Sequence, residues 1–172
     1  MKHVIEGTVW KCGDNVTTYQ IIPQKRWTLG TVDADELGKW AFEGAWDELK
    51  DTPYGFRDRG FDIVVAGHDF GGGGKSIEHP VAAMQGAGVK LTLAESISRY
   101  NFRNSINRGL PAITCPGVTA LFETGDRLRA NLLTGEIENL ATGASATFEP
   151  FPELILHFLD AGGMLRYYDE KS

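Results

Sequence analysis

The stretch "FDIVVAGHDFGGGGKSIEHPVAAMQGAGVKLTLAE", residues 61–95, constrains the fold more than any other part of the chain. "FDIVVAG" is a continuous apolar run closed by glycine, the pattern of a strand buried on both faces. "SIEHPVAAMQGAG" reads as a helix ending in glycine, and "VKLTLAE" as a second buried strand. A strand, loop, helix and strand in this order predict a parallel pair, because the helix carries the chain back to the starting edge of the sheet. The chain is therefore expected to be α/β.

The flanking segments extend this unit. "VIEGTVWKC" predicts a strand ending at the turn "GDN", and "VTTYQIIP" a second extended piece stopped by Pro23. "DADELGKWAFEGAWDELK" offers an Asp cap with Leu37, Trp40, Ala41 and Ala45 at helical spacing, so one amphipathic helix is expected, with Trp40, Phe42 and Trp46 as packing residues. "SISRYNFRNSINRGLP" predicts a helix ending at Gly109, "AITC" a short strand, and "GDRLRANLLTGEIENLATGASATFEPF" a strand and hairpin segment. "PELILHFLDAGGML" predicts a last helix stopped by Gly162 and Gly163. With 172 residues, 42% of them hydrophobic, and no repeat or linker, a single domain over residues 1–172 is expected.

A formal charge of −6 gives no broad positive field, which argues against nucleic acid or an anionic membrane as partner; an anion must be caught locally. The amino terminus shows no leader, and no stretch approaches the ~20 apolar residues of a membrane helix, so a cytoplasmic location is expected. Cys12 and Cys115 lie far apart without CxxC spacing and form neither a disulfide framework nor a metal site by themselves. Any iron or zinc would need ligands from another chain.

"DFGGGGKS" comes close to the phosphate-loop pattern GxxxxGK[ST], with Gly74, Lys75 and Ser76 in place. Asp69 stands where the first glycine belongs, Pro80 falls in the first helical turn, and no later strand ends in a magnesium-binding Asp, so nucleotide binding is set aside. The backbone chemistry survives that rejection. Gly72, Gly73 and Gly74 let N–H groups approach a carboxylate, Lys75 adds charge, and Ser76 adds a hydroxyl. The alternative is a glycine-rich turn that serves packing alone.

"GDNVTTYQIIP", "VVAGHDFGGGGKSIEHPVAAMQGAGVKLTLAESISRYNFRNSINRGLP" and the terminal "AGGML" occur in the order seen in the small subunit of 3-isopropylmalate dehydratase. The chain resembles this free-standing swivel domain of the aconitase superfamily over nearly its whole length. The resemblance implies an aconitase-type swivelling β/β/α domain, with a largely parallel central sheet and additional hairpin strands. It also implies half of an enzyme: a large subunit holds a [4Fe-4S] cluster, this chain binds no cofactor or metal alone, and the shared site reversibly dehydrates a small hydroxy-dicarboxylate, as in leucine biosynthesis.

The usual family loop reads GxGSSREH, in which the first serine is the base and the arginine binds a substrate carboxylate. Here the loop reads "GGGGKSIEH": counted back from Glu78 and His79, Ile77 replaces the arginine, Ser76 matches the second serine, and Lys75 holds the base position. One additional residue separates Phe70 from Glu78. Either the glycine run bulges so that Ser76 is the base and Lys75 the carboxylate clamp, the preferred reading, or Lys75 itself takes the proton. Tyr19 stands where the family commonly has Asp, and "PQKRW" supplies Arg26 as the expected substrate contact, the alternative being a solvated basic pair. His79 is expected beside the substrate. The segment after "IIP" shows no isopropyl-recognition pattern, leaving dimethylmalate dehydration and maleate or citraconate hydration as alternatives. A non-catalytic carboxylate-binding partner domain is the alternative of a different class.

Overall fold

The computed structural model describes residues 3–27 and 32–170. In chain order these form β1 (Val4–Lys11), α1 (Thr18–Ile21), α2 (Gln24–Trp27), α3 (Ala34–Gly38), β2 (Ile63–Ala66), α4 (His79–Gly86), β3 (Leu91–Ala94), α5 (Arg99–Asn107), β4 (Ala112–Thr114), β5 (Arg127–Asn131), β6 (Glu136–Asn139), β7 (Ser145–Thr147), α6 (Glu153–Ala161) and α7 (Met164–Asp169). The strands make one sheet in the order β4-β3-β2-β1-β5-β6-β7. β1 to β4 pair in parallel, and β5, β6 and β7 add to the edge of β1 as antiparallel strands. Parallel strands with hairpin strands beside them are the α/β arrangement expected from the sequence.

Side-chain alternation along β2 divides the core in two. Ile63 and Val65 join Leu91, Leu93, Ile106, Phe158 and Leu159 on one face of the sheet. Val64 and Ala66 join Leu37, Val81, Met84 and the rings of Trp10, Phe42 and Phe56 on the other. All four residues of β2 and all four of β3 are buried, which is why both read as unbroken apolar runs.

Three expectations are corrected. "VTTYQIIP" is not a strand: Thr17 opens α1 with a capping box, its Oγ1 accepting from the Gln20 N–H at 3.2 Å while Gln20 Oε1 accepts from the Thr17 N–H at 2.8 Å. "DADELGKWAFEGAWDELK" is not one helix. Asp33 caps α3 by accepting from the Glu36 N–H, but the helix stops at Gly38 and the chain turns, with Phe42 at a φ of 60°. Leu37, Ala41 and Phe42 are nonetheless buried, so apolar content was read correctly and regular structure was not. The helix expected from Ser76 begins instead at His79, leaving Lys75 and Ser76 in the loop. Among the described residues no helix is long and apolar enough to cross a membrane.

Candidate functional site

The connections leaving the carboxyl ends of β1, β2 and β3 lie side by side, the place where open α/β sheets hold ligands. The glycine loop runs between the other two. On one side the Gly71 N–H donates to Val16 O at 2.7 Å and the Thr18 N–H to Gly72 O at 3.2 Å. On the other, the Phe70 N–H donates to Ser96 O, the Ser98 N–H to Phe70 O, and Ser98 Oγ to Gly71 O at 2.9 Å. Close approach explains the glycines: a Cβ on Gly71 would lie 2.3 Å from Asn101 Nδ2, and one on Gly74 would lie 1.9 Å from Thr18 Oγ1. Gly71 and Gly73 also take left-handed φ values of 70° and 59°.

Beyond the glycines the loop is held from α5. The Gly74 N–H donates to Tyr100 Oη at 3.4 Å, Asn104 Nδ2 donates to Ile77 O at 2.9 Å, and Arg108 Nη1 pairs with Glu78 Oε2 at 3.2 Å. Between these anchors Lys75 and Ser76 are exposed, and their side chains have no partner among the described residues. The N–H groups of Gly73, Lys75, Ser76 and Ile77 likewise have no acceptor there. A carboxylate set against this segment would meet backbone donors, an ammonium and a hydroxyl together.

Gly72, Gly73, Gly74, Lys75 and Ser76 follow one another along this loop, but Gly72 is buried with its N–H donating to Asp69 O at 3.1 Å and the Gly74 N–H is held by Tyr100, so of the three expected glycines Gly73 alone keeps an N–H without an acceptor among the described residues. His79, the first residue of α4, is half-buried beside them, its ring centroid 6.2 Å from that of Trp27, which in turn stacks on Tyr19 at 5.0 Å. Burial, aided by the Arg108 charge and opposed by Glu78, lowers the His79 pKa. Its Nδ1 is buried without a partner among the described residues. Arg26 is committed elsewhere: Nε and Nη2 each meet Glu43 at 2.9 Å, Nη2 meets Asp51 at 3.0 Å, and the guanidinium lies 3.4 Å from the Trp40 ring centroid. The expected recognition segment after "IIP" includes residues 28–31, which lie outside the described residues.

Tyr100 and Asn104 were missed in the sequence reading. Their i, i+4 spacing in "RYNFRNSIN" places both on one helix face, and that signal was available. Among the described residues no group of three His, Cys, Asp or Glu side chains could hold a metal ion. Burial pushes the Cys12 thiol up to about 12 and raises that of Cys115, further from the thiolate a cluster needs.

An α/β domain whose strand ends gather around an open, glycine-rich loop is the class defined by this geometry. No family model matches the chain. The isopropylmalate/citramalate isomerase small subunit of Methanocaldococcus jannaschii is 39% identical over 171 residues, covering 99% of this chain and 97% of that one. The methanogen homoaconitase small subunit of Methanothermobacter thermautotrophicus is 39% identical over 168 residues, 98% of this chain and 92% of that one. A crystal structure of 3-isopropylmalate dehydratase from M. jannaschii superposes with a TM-score of 0.82 at 32% identity, covering 98% of this chain and 95% of that one. The chain belongs to the family of 3-isopropylmalate dehydratase small subunits.

Proposed function

We propose that the chain is the small subunit of a cytoplasmic two-subunit hydro-lyase of the 3-isopropylmalate dehydratase type. It would act as one swivel domain over residues 1–172, closing on a large subunit that carries a [4Fe-4S] cluster. The observation that carries this reading is the segment from Gly73 to Ile77: four N–H groups without acceptors among the described residues, beside an exposed ammonium and hydroxyl, on a loop otherwise tied down on both sides. Among the described residues no group of three His, Cys, Asp or Glu side chains stands ready to hold a metal, and in this reading a cluster on the large subunit would supply the Lewis acid that helps the hydroxyl leave.

In this reading Ser76 Oγ, deprotonated to the alkoxide before the step, takes the proton from the carbon next to a carboxylate and becomes the neutral hydroxyl. Lys75, whose exposed side chain has no partner among the described residues, holds that carboxylate together with the N–H groups of Gly73, Lys75, Ser76 and Ile77. His79 borders the substrate space as a ring whose charging is disfavoured by burial. The Ile77 side chain has no donor to offer, so a carboxylate bound by arginine elsewhere in the family must here find Lys75 or the backbone. Arg26, already paired with Glu43 and Asp51, would reach substrate only by leaving them.

The test is anaerobic reconstitution with a cluster-bearing large subunit, following absorbance of the unsaturated product from isopropylmalate, dimethylmalate, citramalate and D-malate. Turnover of one diacid is expected and names the branch; stable assembly with no turnover of any would indicate a non-catalytic partner domain. Ser76→Ala should lower kcat by ~10²- to 10⁴-fold with assembly intact. Lys75→Met should chiefly raise KM. The reverse pattern would make Lys75 the base.

A further inference from the structure

Resting on that reading, we propose that Tyr100 is a substrate-binding residue whose hydroxyl donates to a carboxylate of the hydroxy-dicarboxylate, making good part of what the loop lacks by carrying Ile77. The argument begins with the role already taken by the phenol oxygen. The Gly74 N–H donates to Tyr100 Oη, so the phenol proton must be directed away from that N–H. Among the described residues it has no acceptor. The side chain is half-buried and its oxygen sits at Gly74, so a donor is held next to the segment that carries Lys75 and Ser76.

The surroundings narrow what such a donor meets. Asn104, one helical turn further along α5, fixes the Ile77 carbonyl, so the two α5 side chains hold the loop at Gly74 and Ile77 with Lys75 and Ser76 between them. The donors of that segment without an acceptor among the described residues, four N–H groups, the Lys75 ammonium and the Ser76 hydroxyl, suit an anion, and Tyr100 adds a neutral donor to the same set. The chemical class is a carboxylate. Asn104 acts through the backbone and is a positioning residue.

Tyr100→Phe keeps the ring and deletes only the hydroxyl. In the reconstituted two-subunit enzyme it should raise KM for the turned-over diacid by ~10- to 100-fold, the range for a hydrogen bond to a charged group, with kcat little changed. By calorimetry the dissociation constant of the unsaturated dicarboxylate product should rise by a similar factor, and the affinity of the two subunits should stay as it was. Unchanged KM and dissociation constant would overturn the proposal, as would a fall in kcat alone, which would leave Tyr100 only supporting Gly74. If the unaltered enzyme turns over none of the diacids, the proposed function fails separately. Calorimetry with the same dicarboxylates then decides Tyr100: weaker binding in Tyr100→Phe supports it, and equal or absent binding in both complexes overturns it.

Discussion

Glu43 shows how a charge can be taken away from a site. Its side chain is 2% exposed, and burial alone would raise its pKa. Hydrogen bonds from Arg26 and Lys25, with the Asp51 N–H, overcome that penalty and hold it at about 2, against an ordinary 4.5. A carboxyl group depressed in the folded chain contributes stability that is present above about 4.5 and lost as pH falls toward about 2. That contribution is roughly 3 kcal/mol from the size of the shift. Urea midpoints measured at pH 7 and pH 3 should fall further in the natural chain than in Glu43→Gln; equal falls would refute the assignment. "PQKRW" reveals a basic pair in the sequence, but nothing there shows that a carboxylate seventeen residues after Arg26 is buried against it. Such pairing leaves no periodic trace. Lys75 and Ser76 were legible because the glycines beside them announce a backbone with special geometry.

The same contrast governs the elements. β2 and β3 were legible because strands covered on both faces have no polar positions to confuse the reading. α1 was not, since a helix of four residues has too few positions to show a period, and two adjacent isoleucines outweighed the Thr17 and Gln20 caps. That small helix matters to the loop, because its Thr18 stands directly behind Gly74. Gly74→Ala would drive a methyl group against Thr18 Oγ1 and displace the segment between the α5 anchors. A shift of about 1 Å at a reacting group can cost ~10²-fold in rate, so kcat of the reconstituted enzyme should fall by about that factor. Gly13→Ala, whose added Cβ meets nothing within 4 Å, is the matched control and should leave kcat unchanged. Equal effects of the two changes would mean that close packing behind the loop does not set its activity.

The chain as a unit presents this loop outward. A cavity of about 910 Å³ lined by Val4, Glu6, Gln85 and Lys90 lies at the amino ends of the parallel strands, the edge opposite the glycine loop. Residues 73–76 are exposed, so a second surface can close over the donors of this segment. Hydrogen exchange tests this directly, since amides bonded within buried strands exchange only on larger opening, whereas amides without acceptors have no such protection. In the isolated chain the N–H groups of Gly73, Lys75, Ser76 and Ile77 should exchange fast, and those of β2 and β3 slowly. Addition of the large subunit with a dicarboxylate should slow the loop amides by ten-fold or more, about the effect of adding ~1.4 kcal/mol of protection, and leave β2 and β3 as they were. Slowing by the large subunit alone, with no further change on adding dicarboxylate, would assign the loop to docking and remove the carboxylate from the argument.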